Sequence, residues 1–307
     1  MNVENYITVF TPTYNRGYII EKLYTSLKNQ KYQNFEWLII DDGSTDKTQQ
    51  TINTFIEENA ISIRYIRKEN EGKHIAINLA SEISKGEWVF IVDSDDYLTD
   101  DALSKVNYYI NSIKDELSFA GVVGLRGDNN KNAWITSNPD KNKKSEIFNY
   151  DYIDATTIEY RYKYKIKGDR AEVIRRDVLK QYKFPKFKDE KFLAENYLWI
   201  NLALDGYSFR WFNHIIYITD YLEDGLTRNG RKIAMTNPLG KSFSENVELQ
   251  VRSIPMRKKL KHSINYYRYG KYGGKHYSEL FKETANKWVS IITLPLSVIL
   301  KIRKEKD

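Results

Sequence analysis

Asp93-Ser94-Asp95-Asp96 puts three carboxylates within four residues, directly after the apolar run Trp88-Val89-Phe90-Ile91-Val92. That run predicts a buried strand. In extended geometry alternate side chains share a face, so Asp93 and Asp95 would point the same way. Neighbouring carboxylates repel, and burying them unpaired is costly. A divalent cation resolves the conflict. A few hard oxygen ligands, with positions left open for phosphate oxygens, suit Mg²⁺ or Mn²⁺. The alternative is an acidic strand-to-helix turn, with Asp100 or Asp101 opening a helix.

Two further polar clusters follow predicted strands. Asp41-Asp42-Gly43-Ser44-Thr45-Asp46 comes after the run Phe35 to Ile40. A tight turn explains Gly43, and a helix cap explains Asp46. Neither explains two acids immediately after a strand. A carboxylate there could accept a hydrogen bond from N3–H of uracil or thymine. Thr11-Pro12-Thr13-Tyr14-Asn15 comes after Ile7 to Phe10. Tyr14 offers a ring on which a base could stack, unless the segment is only a proline-directed turn.

The elements that must position these clusters alternate along the chain. Strands are predicted at residues 7–10, 35–40, 61–66 and 88–92. Helical spacing covers 18–29, 46–58 and 74–84, with Asp46 as an N-cap and Lys85-Gly86 closing the third helix. This alternation predicts βαβ units and a parallel sheet, with ligands beyond the carboxyl ends of the strands. The three clusters should therefore converge on one edge. Further on, residues 121–125 predict a strand, 171–182 and 192–204 helices, and 209–218 a strand pair or one long strand. Residues 129–149 read as loops, and 226–242 as a linker. No internal repeat is apparent.

The chain of 307 residues is long enough for one large domain or two smaller ones. It has no cysteine, which excludes disulfides and thiolate metal sites. Neither a basic-then-apolar leader nor an apolar run of about 20 residues is visible. The net charge of +7 is unevenly spread. Residues 228–307 carry 18 Lys/Arg against 6 Asp/Glu, and residues 1–227 carry 30 against 35. A basic tail on a mildly acidic body fits an enzyme better than a globally basic nucleic-acid binder.

Taken together in order and spacing, four segments resemble the family 2 glycosyltransferases. They are Thr8 to Asn15, Asp41 to Asp46, Asn70-Glu71-Gly72-Lys73 with Ala76 and Asn78, and Asp93 to Asp96. The resemblance is close over the first 125 residues and looser over the next 100. It implies a GT-A fold: an α/β, Rossmann-like, mostly parallel sheet flanked by helices, here with a basic helical C-terminal extension. It also implies a nucleotide-sugar donor, a Mn²⁺ or Mg²⁺ ion, and transfer with inversion. Carried over by position, Pro12 and Tyr14 would line the base pocket and Asp42 would meet the uracil edge. Lys73 would approach the diphosphate. Asp93 and Ser94 would lie at the donor, Asp95 would ligate the metal, and Asp96 would face elsewhere and orient or cap.

The resemblance also calls for a carboxylate base in the second half, where relatives often carry Glu-Asp at the start of a helix. Here the matching stretch has Glu195 followed by Asn196. An amide cannot take a proton, which leaves Glu195 as the expected base, with Glu190 or Asp189 in reserve. Asp169 and Arg170 form a second patch, for acceptor or diphosphate groups or as a simple turn. The expected division is a donor-binding half (1–125), an acceptor-binding half (126–227) and a C-terminal extension (228–307).

In that extension, Arg257-Lys258-Lys259-Leu260-Lys261 precedes a stretch in which tyrosines alternate with basic residues. The uncharged run Trp288 to Leu300 follows, bounded by Lys287 and by Lys301, Arg303 and Lys304. It is too short to span a bilayer but could lie in its surface against anionic headgroups. It could equally pack on the body or on a second subunit in a homo-oligomer. Relatives of this type often act on lipid-linked acceptors in bacterial surface-polysaccharide synthesis. The expected location is therefore cytoplasmic and peripheral, at the inner face of the membrane. A nucleotidyltransferase making sugar nucleotides is the alternative enzyme, although the glycine-rich phosphate loop it wants after the first strand is missing. A nucleic-acid binder acting through the tail is the non-enzymatic alternative. A dinucleotide dehydrogenase is disfavoured, since no G-x-G-x-x-G follows the first strand.

Overall fold

A computed structural model describes residues 4–128, 150–166, 168–219 and 230–300. The chain divides into two compact units, Met1–Lys183 with Asp205–Tyr221, and Phe184–Leu204 with Leu222–Asp307.

The first unit is built on strands β1 (Ile7–Thr13), β2 (Phe35–Asp41), β3 (Ile63–Arg67) and β4 (Trp88–Ile91). Helices α1 (Glu21–Lys28), α2 (Thr48–Glu58) and α3 (Lys73–Ile83) connect them. All three pairings among these strands are parallel, in the spatial order β3-β2-β1-β4. Every residue of β1, β2 and β4 is buried, as expected for parallel strands covered on both faces. The expected alternation of strand and helix is therefore present. Asp46 sits one step outside the expected cap position: α2 begins at Thr48, whose N–H and hydroxyl both donate to the Asp46 carboxylate.

The chain continues through β5 (Tyr97–Leu98), α4 (Ala102–Asn111), β6 (Phe119–Gly127), β7 (Tyr152–Ala155), α5 (Thr157–Tyr162), β8 (Arg170–Arg175) and α6 (Arg176–Leu179). The single long strand β9 (Ser208–Ile218) completes the sheet. Among the described residues the order is β3-β2-β1-β4-β8-β6-β9-β5, with β7 added against β9. Beyond β4 the sheet is mixed, because β8 runs antiparallel to both β4 and β6.

The helix expected over 171–182 is instead β8 followed by the short α6. Pairing decided this. Val173 and Ile174 are β-branched, fully buried and bonded between two strands, which outweighs a marginal helical pattern. The core packs Trp37, Tyr24 and Phe55 as a stack beside Ile20, Leu23 and Leu27. The Trp37 indole N–H donates to Thr11 Oγ1, so its one polar atom is satisfied. This core holds β1 and β2 in register, and with them the loops at their carboxyl ends.

The second unit is helical among its described residues: α7 (Asn196–Leu204), α8 (Gly230–Thr236), α9 (Pro238–Glu248), α10 (Met256–Tyr272), α11 (Tyr277–Glu283) and α12 (Lys287–Ile299). The expected helix over 192–204 is shorter, beginning at Asn196. Tyr266, Tyr267 and Leu280 form a buried cluster in it, against which Leu294 of α12 packs. The expected loop over 129–149 and part of the expected 226–242 linker lie outside the described residues.

Candidate active site

Strand β4 stops at Ile91, and the carboxylates that follow sit on a turn closed by the Asp96 N–H donating to the Asp93 carbonyl at 3.2 Å. Alternation therefore ends before Asp93, and the turn groups the acids differently from an extended strand. Asp93 and Asp96 both face Arg126 of β6, at 3.9 and 3.5 Å. Asp95 faces Arg16 from the β1–α1 loop, at 3.8 Å. Asp96 thus does not face away from the cluster, as expected of it, but shares a cation with Asp93.

Tyr217, near the end of β9, anchors the turn from below. Its hydroxyl accepts from the Asp93 N–H at 2.9 Å and donates to Asp96 Oδ2 at 2.7 Å. The Arg126 guanidinium lies 4.0 Å over the Tyr217 ring, and its Nε–H donates to the Arg170 carbonyl. Lys73, the first residue of α3, donates to Asp93 Oδ1 at 2.5 Å. Loops after β1, β3 and β4 therefore meet at one rim, as parallel β-strands with aligned ends require.

The electrostatics of the turn are uneven. Burial pushes the Asp93 carboxyl up, but Lys73, Arg126 and Arg16 outweigh it and hold the group below the ordinary range. Asp95 is pushed up by burial and by the charge of Asp93, with Arg16 compensating only in part. Asp96 rises to about 7, through burial first and Asp93 second, against Arg126 and the Tyr217 hydrogen bond. Burial disfavours the charge on Arg126, yet Tyr217, Asp93, Glu172 and Asp96 together raise its pKa.

The β2–α2 loop is organised by its two acids. Asp41 accepts from the Ser44 N–H and the Tyr65 hydroxyl. Asp42, almost fully buried, accepts from Lys68 Nζ and from the backbone N–H groups of Glu71 and Gly72. It thereby fixes the segment that delivers Lys73. Gly72 at φ 97° and Gly43 at φ 83° both need the left-handed region, and a Cβ on Gly43 would lie 3.1 Å from Lys68 O and Asn70 N. Pro12 is buried in β1, whereas Tyr14, just beyond its end, is about half exposed and leaves its ring available at the rim.

The sequence profile described as glycosyl transferase family 2 matches residues 8–183, more than half of the chain. The chain belongs to this family. Over 285 residues it is 25% identical to a Campylobacter jejuni GalNAc(5)-diNAcBac-PP-undecaprenol beta-1,3-glucosyltransferase, covering 90% of this chain and 86% of that one. Other bacterial glycosyltransferases, from Haemophilus influenzae and Streptococcus pneumoniae, align over about a third of this chain and 14–40% of their own lengths. The fold matches residues 1–349 of TarS from S. aureus, solved with UDP-GlcNAc, at a TM-score of 0.58 and 19% identity. That likeness covers 95% of this chain and 80% of the other. A Pyrobaculum calidifontis mannosyltransferase, solved with GDP-Man and Mn²⁺, matches at a TM-score of 0.51 and 16% identity, covering 97% of this chain and 75% of that one. The sheet flanked by helices is accordingly a GT-A fold.

The carboxylates of this turn have the chemistry to hold a divalent cation. Asp95 is a partly exposed oxygen donor that faces Arg16 at 3.8 Å, and burial disfavours its charge. One hard ligand beside a rim suits a Mg²⁺ or Mn²⁺ ion that shares its remaining positions with phosphate oxygens. Among the described residues no group of three or more His, Cys, Asp or Glu forms a closed cage. An all-protein metal site is not what this turn offers.

Ser94 is buried within the turn. Arg170 is buried, donating to the Tyr160 hydroxyl and to the Asp169 carbonyl, while Asp169 itself is exposed. Glu195, Glu190 and Asp189 belong to the second unit. The Glu195 carbonyl accepts from Leu198 at the start of α7. Glu190 is committed to the start of α9, accepting from the Leu239 and Gly240 N–H groups, and burial raises its pKa. Asp189 holds a left-handed turn at φ 61°. Arg126, Tyr217 and Arg16 escaped the sequence reading. Arg16 stands right after the Thr11–Asn15 cluster and was the one within reach of it.

Proposed function

We propose that the protein is a metal-dependent, inverting hexosyltransferase that moves a sugar from a UDP-sugar to a hydroxyl of a glycan or lipid-linked acceptor. The setting is bacterial surface-polysaccharide synthesis, and such an acceptor places the enzyme at the cytoplasmic face of the membrane. One observation carries this reading: the 93–96 turn gathers carboxylates at a rim where loops from two other strands deliver Arg16 and Lys73.

In this reading residues 1–125 hold the donor and 126–227 the acceptor. Tyr14 stacks on the base. Three of the four lone-pair directions of Asp42 are already used, which leaves one for the imide N–H of uracil. TarS, whose fold is similar, is the precedent for a UDP-sugar. Asp95 would hold a divalent cation, which would supply Lewis-acid stabilisation of the leaving diphosphate. Lys73, which lies against Asp93, would add a charge-assisted donor to the diphosphate. Asp93 and Ser94 face the donor, and Asp169 and Arg170 belong to the acceptor side.

Glu195 takes the proton of the acceptor hydroxyl as that oxygen bonds to the anomeric carbon. The bond from carbon to phosphate oxygen breaks on the opposite face, and its electron pair leaves with UDP. The test is a screen of nucleotide sugars for binding and hydrolysis with and without Mn²⁺. The expected result is selective, metal-dependent binding of a UDP-sugar that Asp95→Ala abolishes. Metal-dependent binding that survives in Asp95→Ala would sink the assignment.

A further inference from the structure

Helix α12 is amphipathic the wrong way round for a helix packed on a protein core. Its inward face is Val289, Ser290, Thr293 and Ser297, all buried, with Leu294 partly buried beside them. The hydroxyls are satisfied inside: Thr293 with Ser263 of α10 at 2.6 Å, Ser290 with Thr284 at 2.9 Å, and Ser297 to the Thr293 carbonyl at 2.7 Å. The outward face is Trp288, Ile291, Ile292, Leu296 and Ile299, spaced at i, i+3, i+4, i+8 and i+11. Trp288 is 82% exposed, Ile292 62% and Ile299 78%. A helix packed on a core normally turns its apolar stripe inward, and a contiguous exposed apolar stripe marks an interaction surface.

We infer that this face lies in the surface of an anionic lipid bilayer. Spanning is excluded by length: thirteen residues make about 20 Å of helix against about 30 Å of hydrocarbon. Charge selects the occupant. Between residues 282 and 304 the sequence has five Lys/Arg and one acid, Glu283. Lys287, the first residue of the helix, is exposed, with its ammonium donating to the Phe281 and Lys282 carbonyls. Cations on both sides of this apolar run in the sequence match a leaflet of anionic headgroups. A two-fold contact with a second copy would set the same cations against each other. The inference does not depend on the donor reading, because vesicle binding is measured with neither donor nor acceptor present.

The test floats the full chain with vesicles of phosphatidylcholine alone and with about 30% phosphatidylglycerol. The expected result is binding to the anionic vesicles that weakens at about 0.5 M salt. Ile292→Ser with Ile299→Ser should lower the bound-to-free ratio at least about tenfold, with an unchanged melting temperature because both residues are exposed. Trp288→Ala is an independent second variant and should weaken binding in the same direction. Absence of wild-type binding, equal binding to neutral vesicles, or unchanged binding in both variants overturns the proposal. So does sedimentation showing a wild-type dimer that the double variant converts to monomer, since a second copy would then cover the face.

Discussion

The Tyr217 hydroxyl sits between the Asp93 N–H and the Asp96 carboxylate, 2.9 and 2.7 Å away, and ties the end of β9 to the turn after β4. The same ring carries the Arg126 guanidinium on its face. One side chain thus sets both the backbone of the acidic turn and the cation that neutralises it. A Tyr217→Phe protein keeps the ring and loses both hydrogen bonds. Leaving a buried N–H unpaired costs about 1–3 kcal/mol. The expected result is a lower urea midpoint, together with transfer slowed about 10- to 100-fold by the misplaced turn. Arg126→Met should be worse, by about 3–5 kcal/mol, because two carboxylates are then buried without their shared cation. Wild-type stability in both variants would remove this anchor from the account.

Asp42→Asn tests whether the β2–α2 acid organises the loop that delivers Lys73. The carboxylate accepts from three donors, two of them backbone N–H groups. An amide offers one oxygen and turns its NH₂ towards a donor, which leaves at least one N–H unpaired at about 1–3 kcal/mol. The expected readout is faster hydrogen exchange confined to residues 68–73, with weaker donor binding. Unchanged exchange there would mean that the loop is held by other contacts.

His74 gives the first unit a dependence on acid. It is buried behind Lys73, and burial lowers its pKa from 6.5 to about 4, with Asp42 and Glu71 opposing and Lys68 assisting. Between those values the unfolded chain takes up a proton that the folded chain refuses. Stability from this residue is therefore constant above about pH 6.5 and falls as pH drops towards 4. His74→Gln should flatten that part of the profile. Urea midpoints measured across this range check it, and an identical slope in the variant would place the acid sensitivity elsewhere.

The sequence made the site visible as separate strand ends, because each cluster follows an apolar run and parallel strands bring such ends to one edge. It could not make Arg126 or Tyr217 visible. Each lies in a strand whose partner is distant in sequence, and nothing local marks an arginine near the end of β6 as the counter-ion of residues thirty positions earlier. The alternation rule also failed at a definite place: β4 ends two residues before Asp93, so a turn rather than a pleat decides which acids share a cation. At β8 the residues Val173 and Ile174 were the available signal, overridden by a helical spacing that pairing with β4 and β6 cancels. The C-terminal run was legible as apolar with basic flanks. Its inverted face was not, since burial of Ser290, Thr293 and Ser297 depends on the hydroxyls of α10 and Thr284.

Asn196 bears on the identity of the base. Its Nδ2–H donates to Glu248 Oε1 of α9 at 3.2 Å. An aspartate in its place would face a second carboxylate at that distance, which would raise the pKa of one of them or force them apart. The amide is therefore matched to Glu248, and the proposed function assigns proton transfer to its neighbour Glu195. Glu195→Gln should leave donor affinity within about twofold and lower kcat by about 10²- to 10⁴-fold. Asn196→Asp should not restore the loss in a Glu195→Gln background and should itself lower the melting temperature, which Glu248→Gln should rescue. Full activity in Glu195→Gln, or rescue of that variant by Asn196→Asp, would move the base away from Glu195.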